Sequence, residues 1–102
     1  MTHLVQVLLP LDDNSGNRFP PAAFDDVKRE LSDRFGGVTA FMQAPAEGVW
    51  AAGGEQERDR VVIFEVMADD FEGGWWKRYR KALELRFAQD VIIVRSWPIT
   101  LV

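Results

Sequence analysis

Residues Arg60 to Met67 read RVVIFEVM, and six of these eight positions are apolar. A run of β-branched and aromatic side chains suits a strand, because such groups pack well on a pleated surface. Successive side chains point to opposite faces. Val62, Phe64 and Val66 therefore share one face, and Val61, Ile63, Glu65 and Met67 share the other. Both faces are apolar, with a single carboxylate among the aliphatic groups of the second. A sheet built on this strand can cover one face with its own helices, yet it keeps a second face that water does not favour.

The rest of the chain supplies the partners for such a sheet. His3 to Leu9 reads as a strand stopped by Pro10, and Leu11 to Pro21 as a polar loop. Phe24, Val27, Leu31 and Phe35 recur at helical spacing; Pro20 and Pro21 suit the start of that helix, and Gly36-Gly37 its end. Val38 to Gln43 reads as a second strand, followed by a long irregular turn marked by Pro45, Gly48 and Gly53-Gly54. The spacing of Trp76, Tyr79, Leu83 and Phe87 predicts a helix from about Asp70 to Ala88, with Asp69 or Asp70 as its N-cap. Val91 to Trp97 is the last strand before Pro98, and Ile99 to Val102 has room for a short edge strand. The order β-α-β-β-α-β predicts an α+β, ferredoxin-like sandwich. Its four-stranded antiparallel sheet has the order 4-1-3-2, with both helices on one face. The 102 residues are read as one such domain, 1–102, around one core.

Strand alternation then assigns the faces. Val5, Val7 and Leu9, with Val62, Phe64, Val66, Ile92 and Val94, are expected under the helices. The outer face receives Leu4, Gln6 and Leu8 from the first strand, Val61, Ile63, Glu65 and Met67 from the third, and Val91, Ile93, Arg95 and Trp97 from the fourth. A contiguous apolar face of this kind marks an interface or a ligand surface. Closed two-fold pairs are the commonest oligomers, so a homodimer packed sheet against sheet is expected.

Three polar groups, Gln6, Glu65 and Arg95, interrupt that face. The strand order makes them cross-strand neighbours. A carboxylate among aliphatic groups needs a partner; Arg95 is the expected one, with Gln6 as a bridge. Two readings stay open. The three can anchor a ligand in an apolar cavity, with Met67 and Trp97 as its wall. They can equally form an interfacial ion pair that fixes the register of two subunits.

Composition removes several other chemistries. There is no cysteine, hence no disulfide, thiolate metal site or cysteine nucleophile, which fits a cytoplasmic setting. His3 is the only histidine and begins a strand, so no histidine-based metal site is expected and a solvent-exposed strand end is. Asp12-Asp13-Asn14-Ser15-Gly16-Asn17 begins like a calcium loop, but Gly16 and Ala23 stand where the fifth and twelfth ligands belong, leaving turn chemistry. The net charge is −4 and the pI about 4.9. That balance argues against nucleic acid, and the basic groups Lys77, Arg78, Arg80, Lys81 and Arg86 read as a solvated helix face or a contact with the acidic first helix. The start of the chain lacks a basic flank, and Gln6 and Pro10 interrupt its apolar run, so neither a signal peptide nor a membrane span is expected. No cofactor motif appears. Trp50, in the long turn, is expected to reach toward a partner subunit.

The stretches Arg34-Phe35-Gly36-Gly37-Val38-Thr39, Gly48-Val49-Trp50, Tyr79-Arg80-Lys81 and Arg86-Phe87-Ala88-Gln89-Asp90-Val91 together resemble a family of small bacterial proteins grouped as a domain of unknown function. The likeness lies in an aromatic-plus-glycine turn, a G-x-W and a late F-x-Q-acidic-x-V. It implies a ferredoxin-like fold and brings no catalytic residues. Two functions follow from the residues themselves: a homodimer binding or transforming a small apolar or aromatic molecule through Gln6, Glu65, Arg95, Trp97 and Met67, or a non-enzymatic homodimer in which the same residues specify pairing.

Overall fold

Val5, Val7 and Leu9 alternate with Leu4, Gln6 and Leu8 along β1 (His3–Pro10), and only the first set is buried. The computed structural model describes the backbone of residues 1–52 and 55–102 and the side chains of 1–41 and 60–102. After β1 come α1 (Pro21–Phe35), β2 (Thr39–Ala52), β3 (Glu55–Ala68), α2 (Gly73–Arg86) and β4 (Ile93–Pro98). The strands form one antiparallel sheet in the order β2-β3-β1-β4, which is the expected order read from its other edge.

The core lies where alternation places it. Val5, Val7, Leu9, Val62, Phe64 and Val66 of the central strands pack against Phe24, Val27 and Leu31 of α1 and Trp76 and Leu83 of α2, with Ile92 and Phe87 closing one end. Each fully buried aliphatic or aromatic group here contributes roughly 1.5–3 kcal/mol by leaving water. Gly36 follows α1 in the left-handed region (φ 77°), and its N–H donates to the Ser32 carbonyl. That geometry suits glycine and ends the helix where the doublet predicts.

Four boundaries differ from expectation, each for a local reason. The turn expected after Gln43 is strand: β2 and β3 pair from Thr39↔Glu65 to Ala52↔Glu55. Their register shifts between Phe41↔Ile63 and Ala46↔Val61, so Pro45 falls in an irregularity of an edge strand, where a missing N–H is tolerated. Gly53-Gly54 and the side chain of Trp50 lie outside the described residues. The second helix starts at Gly73, not Asp70, and neither Asp69 nor Asp70 caps it. Phe71 sits tilted against the His3 ring at 6.0 Å, holding this segment on the end of β1. The last strand starts at Ile93, not Val91, because the Ile92 N–H donates to the Glu84 carboxylate at 3.0 Å and so bonds the helix. The edge strand expected at Ile99–Val102 is absent; the Ile99 N–H donates to the Thr2 carbonyl and strand pairing goes no further.

Candidate functional site

The registers of β1 with β3 and β4 write the outer face as rows. Met67–Leu4–Trp97 form one row, Glu65–Gln6–Arg95 the next, and Ile63–Leu8–Ile93 the third. β2 extends the second and third with Thr39 and Phe41. A polar row thus runs between two apolar rows. Met67 and Ile93 are each 53% exposed, Phe41 44% and Trp97 40%, so aliphatic and aromatic groups stand open on this face.

Within the polar row Gln6 is the link. Its Nε2 donates to Glu65 Oε1 at 2.8 Å, and its Oε1 accepts from Arg95 Nε at 2.9 Å. The chemistry fixes this orientation. A guanidinium only donates and a carboxylate only accepts, so one orientation of the amide satisfies both. Strand alternation puts Gln6 between the two charges; the structure joins them through the amide, not by the direct Glu65–Arg95 pair expected first.

Glu65 also borders a cavity of about 330 Å³, walled by Leu4, Phe35, Val38 and Met67, with Gly36-Gly37 and Thr39 at its rim. β2 begins pairing at Thr39↔Glu65, so beyond Glu65 the β2 side of β3 stands open, and the end of α1 closes the gap. Of the expected site residues, Glu65 and Met67 line this cavity and Gln6 supports it. Arg95 lies across β1 in the same row, and Trp97 stands across Leu4 from Met67. Sequence reading missed Thr39 and the Gly36-Gly37 turn as part of the site. Their one sequence signal is a strand start directly after a helix stop.

A second cavity, about 480 Å³, opens at the opposite end of the sheet between Leu8, Val61 and Ile93 and the loop after β1. The loop is turn chemistry throughout. The Asp13 carboxylate accepts from the Ser15 and Asn17 N–H groups, and Gly16 takes φ 85°. Arg60 grips Asp12 through Nε and Nη2 at 2.8–3.2 Å, and Asn14 donates to the Ala88 carbonyl. These long-range ties carry no local sequence signal.

Elsewhere, two of the basic groups of α2 meet carboxylates. Arg86 meets Glu30 of α1 at 2.7 Å and Tyr79 donates to the same carboxylate, while Arg80 stands 4.0 Å from Glu84. Burial, then the Glu30 hydrogen bond, pushes the Tyr79 hydroxyl well above its ordinary range. His3 is not the expected exposed strand end. It is half-buried against Phe71, with Nδ1 enclosed and without a hydrogen-bond partner among the described residues.

No family model matches the chain, and no curated protein matches it significantly. Solved structures do. The divalent cation tolerance protein CutA1 from Thermus thermophilus superposes with a TM-score of 0.62 and 12% identity, covering 99% of this chain and 86% of that one. The periplasmic divalent cation tolerance protein CutA from Archaeoglobus fulgidus gives 0.60 and 12%, covering 97% and 84%. A phage SAM lyase in complex with S-methyl-5'-thioadenosine gives 0.59 and 16%, covering 94% and 80%. At these identities the likeness shows the fold, which is compatible with a small bacterial α+β family. Two of these neighbours are named for divalent cations. Among the described residues no three His, Cys, Asp or Glu side chains converge as metal ligands, so the carboxylates described do not form a set that fits one. No helix is long and apolar enough to cross a membrane among the residues described.

Proposed function

We propose that the chain works as a self-associating binding module: two copies pack outer sheet face on outer sheet face, and a small apolar or aromatic molecule is held beside Glu65 at the margin of that contact. The observation that carries this reading is the Gln6 bridge from Glu65 to Arg95, set between two open apolar rows and next to a cavity. Covering the apolar rows removes them from water, at about 25 cal/mol for each Å² buried. The polar row supplies orientation, since a pocket's few placed polar groups fix how an apolar ligand sits. A fold neighbour described in complex with a small organic molecule is in keeping with such use of this scaffold. The cysteine-free sequence favours a cytoplasmic setting, although one neighbour is described as periplasmic.

The test is to titrate isotope-labelled protein with indole and follow the backbone amides. Shifts concentrated at Leu4, Gly36, Gly37, Thr39 and Glu65 support the site. Shifts that gather elsewhere, or none at millimolar indole, contradict it.

A second reading has its own support. Gln6 uses both ends of its amide inside the chain. The row can therefore serve pairing alone, as a register device in a non-enzymatic homodimer. Self-association without any binding beside Glu65 is the result that favours it.

A further inference from the structure

We infer that the cavity beside Glu65 selects an organic cation, a protonated amine on an apolar body. This deepens the binding reading above and rests on it. Glu65 is half-buried among Leu4, Ile63 and Met67, and its one described hydrogen bond comes from a neutral amide through Oε1. Arg95 reaches it only through that amide. A carboxylate drawn partly out of water gains most from a charged partner, and charge-assisted hydrogen bonds are roughly twice as strong as neutral ones. Oε2 remains as acceptor, with no partner among the described residues.

The rest of the cavity agrees in sign. The C-terminal end of α1 closes it at Gly36-Gly37, and a helix C-terminus carries the negative end of the backbone dipole along with carbonyls that lack helical partners. The nearest cation along α1, Arg34, is already held by Glu72 at 3.0 Å and lies over the Trp75 ring at 4.3 Å. An anionic ligand would find a helix C-terminus and a carboxylate, and no cation among the described residues that line the cavity. A cation would find an ion-pair partner at Glu65 and an apolar wall of Leu4, Phe35 and Met67 for its body.

The experiment compares three probes that share one ring and differ at the tail: 2-phenylethylamine, 2-phenylethanol and 3-phenylpropionate. Each is titrated at neutral pH into labelled wild-type protein and into Glu65→Gln, with backbone amide shifts as readout. The expected result is that the amine moves the Gly36, Gly37, Thr39 and Glu65 amides with about tenfold higher affinity than the alcohol, and that the acid is weakest. Glu65→Gln should lower the amine to the alcohol's level. If the alcohol or the acid binds the same cavity as tightly as the amine, cation selectivity is overturned and the binding site stands. If no probe moves those amides, the binding reading falls and takes this inference with it. The comparison in wild-type protein decides the matter even should the variant fold poorly.

Discussion

The Gln6 amide donates to the Glu65 carboxylate at 2.8 Å from directly across β1 and β3. Its other end accepts from Arg95, so two opposite charges on non-adjacent strands act on each other through a neutral group. Removing that group leaves a half-buried carboxylate without its donor. A double-mutant cycle of Gln6→Ala and Glu65→Ala, read by urea unfolding at fixed protein concentration, should give a coupling of about 1 kcal/mol. Glu65 and Arg95 should couple in the wild-type background and lose that coupling once Gln6 is alanine. Equal coupling with and without Gln6 would mean the charges interact directly.

Tyr79 is the only tyrosine in the chain, which makes its ionisation readable by absorbance. Burial and the bond to Glu30 disfavour the phenolate, holding the folded hydroxyl well above its ordinary value of 10.0. The folded state thus keeps a proton that the unfolded chain gives up. The resulting stability is fully present below pH about 10 and is lost as pH rises above it. Tyrosinate absorbance should appear at clearly higher pH in native protein than in denaturant, and Tyr79→Phe should flatten the alkaline loss of stability. Coincident titration curves would contradict the burial of the Tyr79 hydroxyl against Glu30.

Adjacent glycines at the end of α1 should respond unequally. Gly36 has φ 77° and Gly37 does not have positive φ, and a Cβ at either would meet nothing within 4 Å. Crowding is therefore equal, and only backbone strain separates them. Gly36→Ala should cost about 1 kcal/mol in denaturant unfolding, while Gly37→Ala should be close to neutral. Equal losses would show that the helix ends differently.

The sheet order and both faces are legible in the sequence because strand alternation is rigid: one register slip would exchange Glu65 with Phe64. The stripe Trp76, Leu83 and Phe87 is legible for the matching helical reason, and all three are buried. The hairpin is not, because Pro45 and Gly48 signal a break locally, whereas an edge strand absorbs Pro45 in a register shift. The start of α2 is hidden because Phe71 is fixed by His3, a partner far away in sequence. The same limit applies to the site. Gln6, Glu65 and Arg95 follow from strand order, but the cavity beside Glu65 depends on where α1 and β2 meet, and no spacing records that.

The outer face gives the account its most direct test, sedimentation equilibrium of the intact chain over a range of concentration. Sedimentation should give a mass above the 11.6 kDa of one chain at micromolar concentration, reduced to one chain by Ile93→Lys at the 53%-exposed β4 end of an apolar row, with the circular dichroism of the variant unchanged. A wild-type protein that sediments as a single 11.6 kDa chain at every concentration would contradict it.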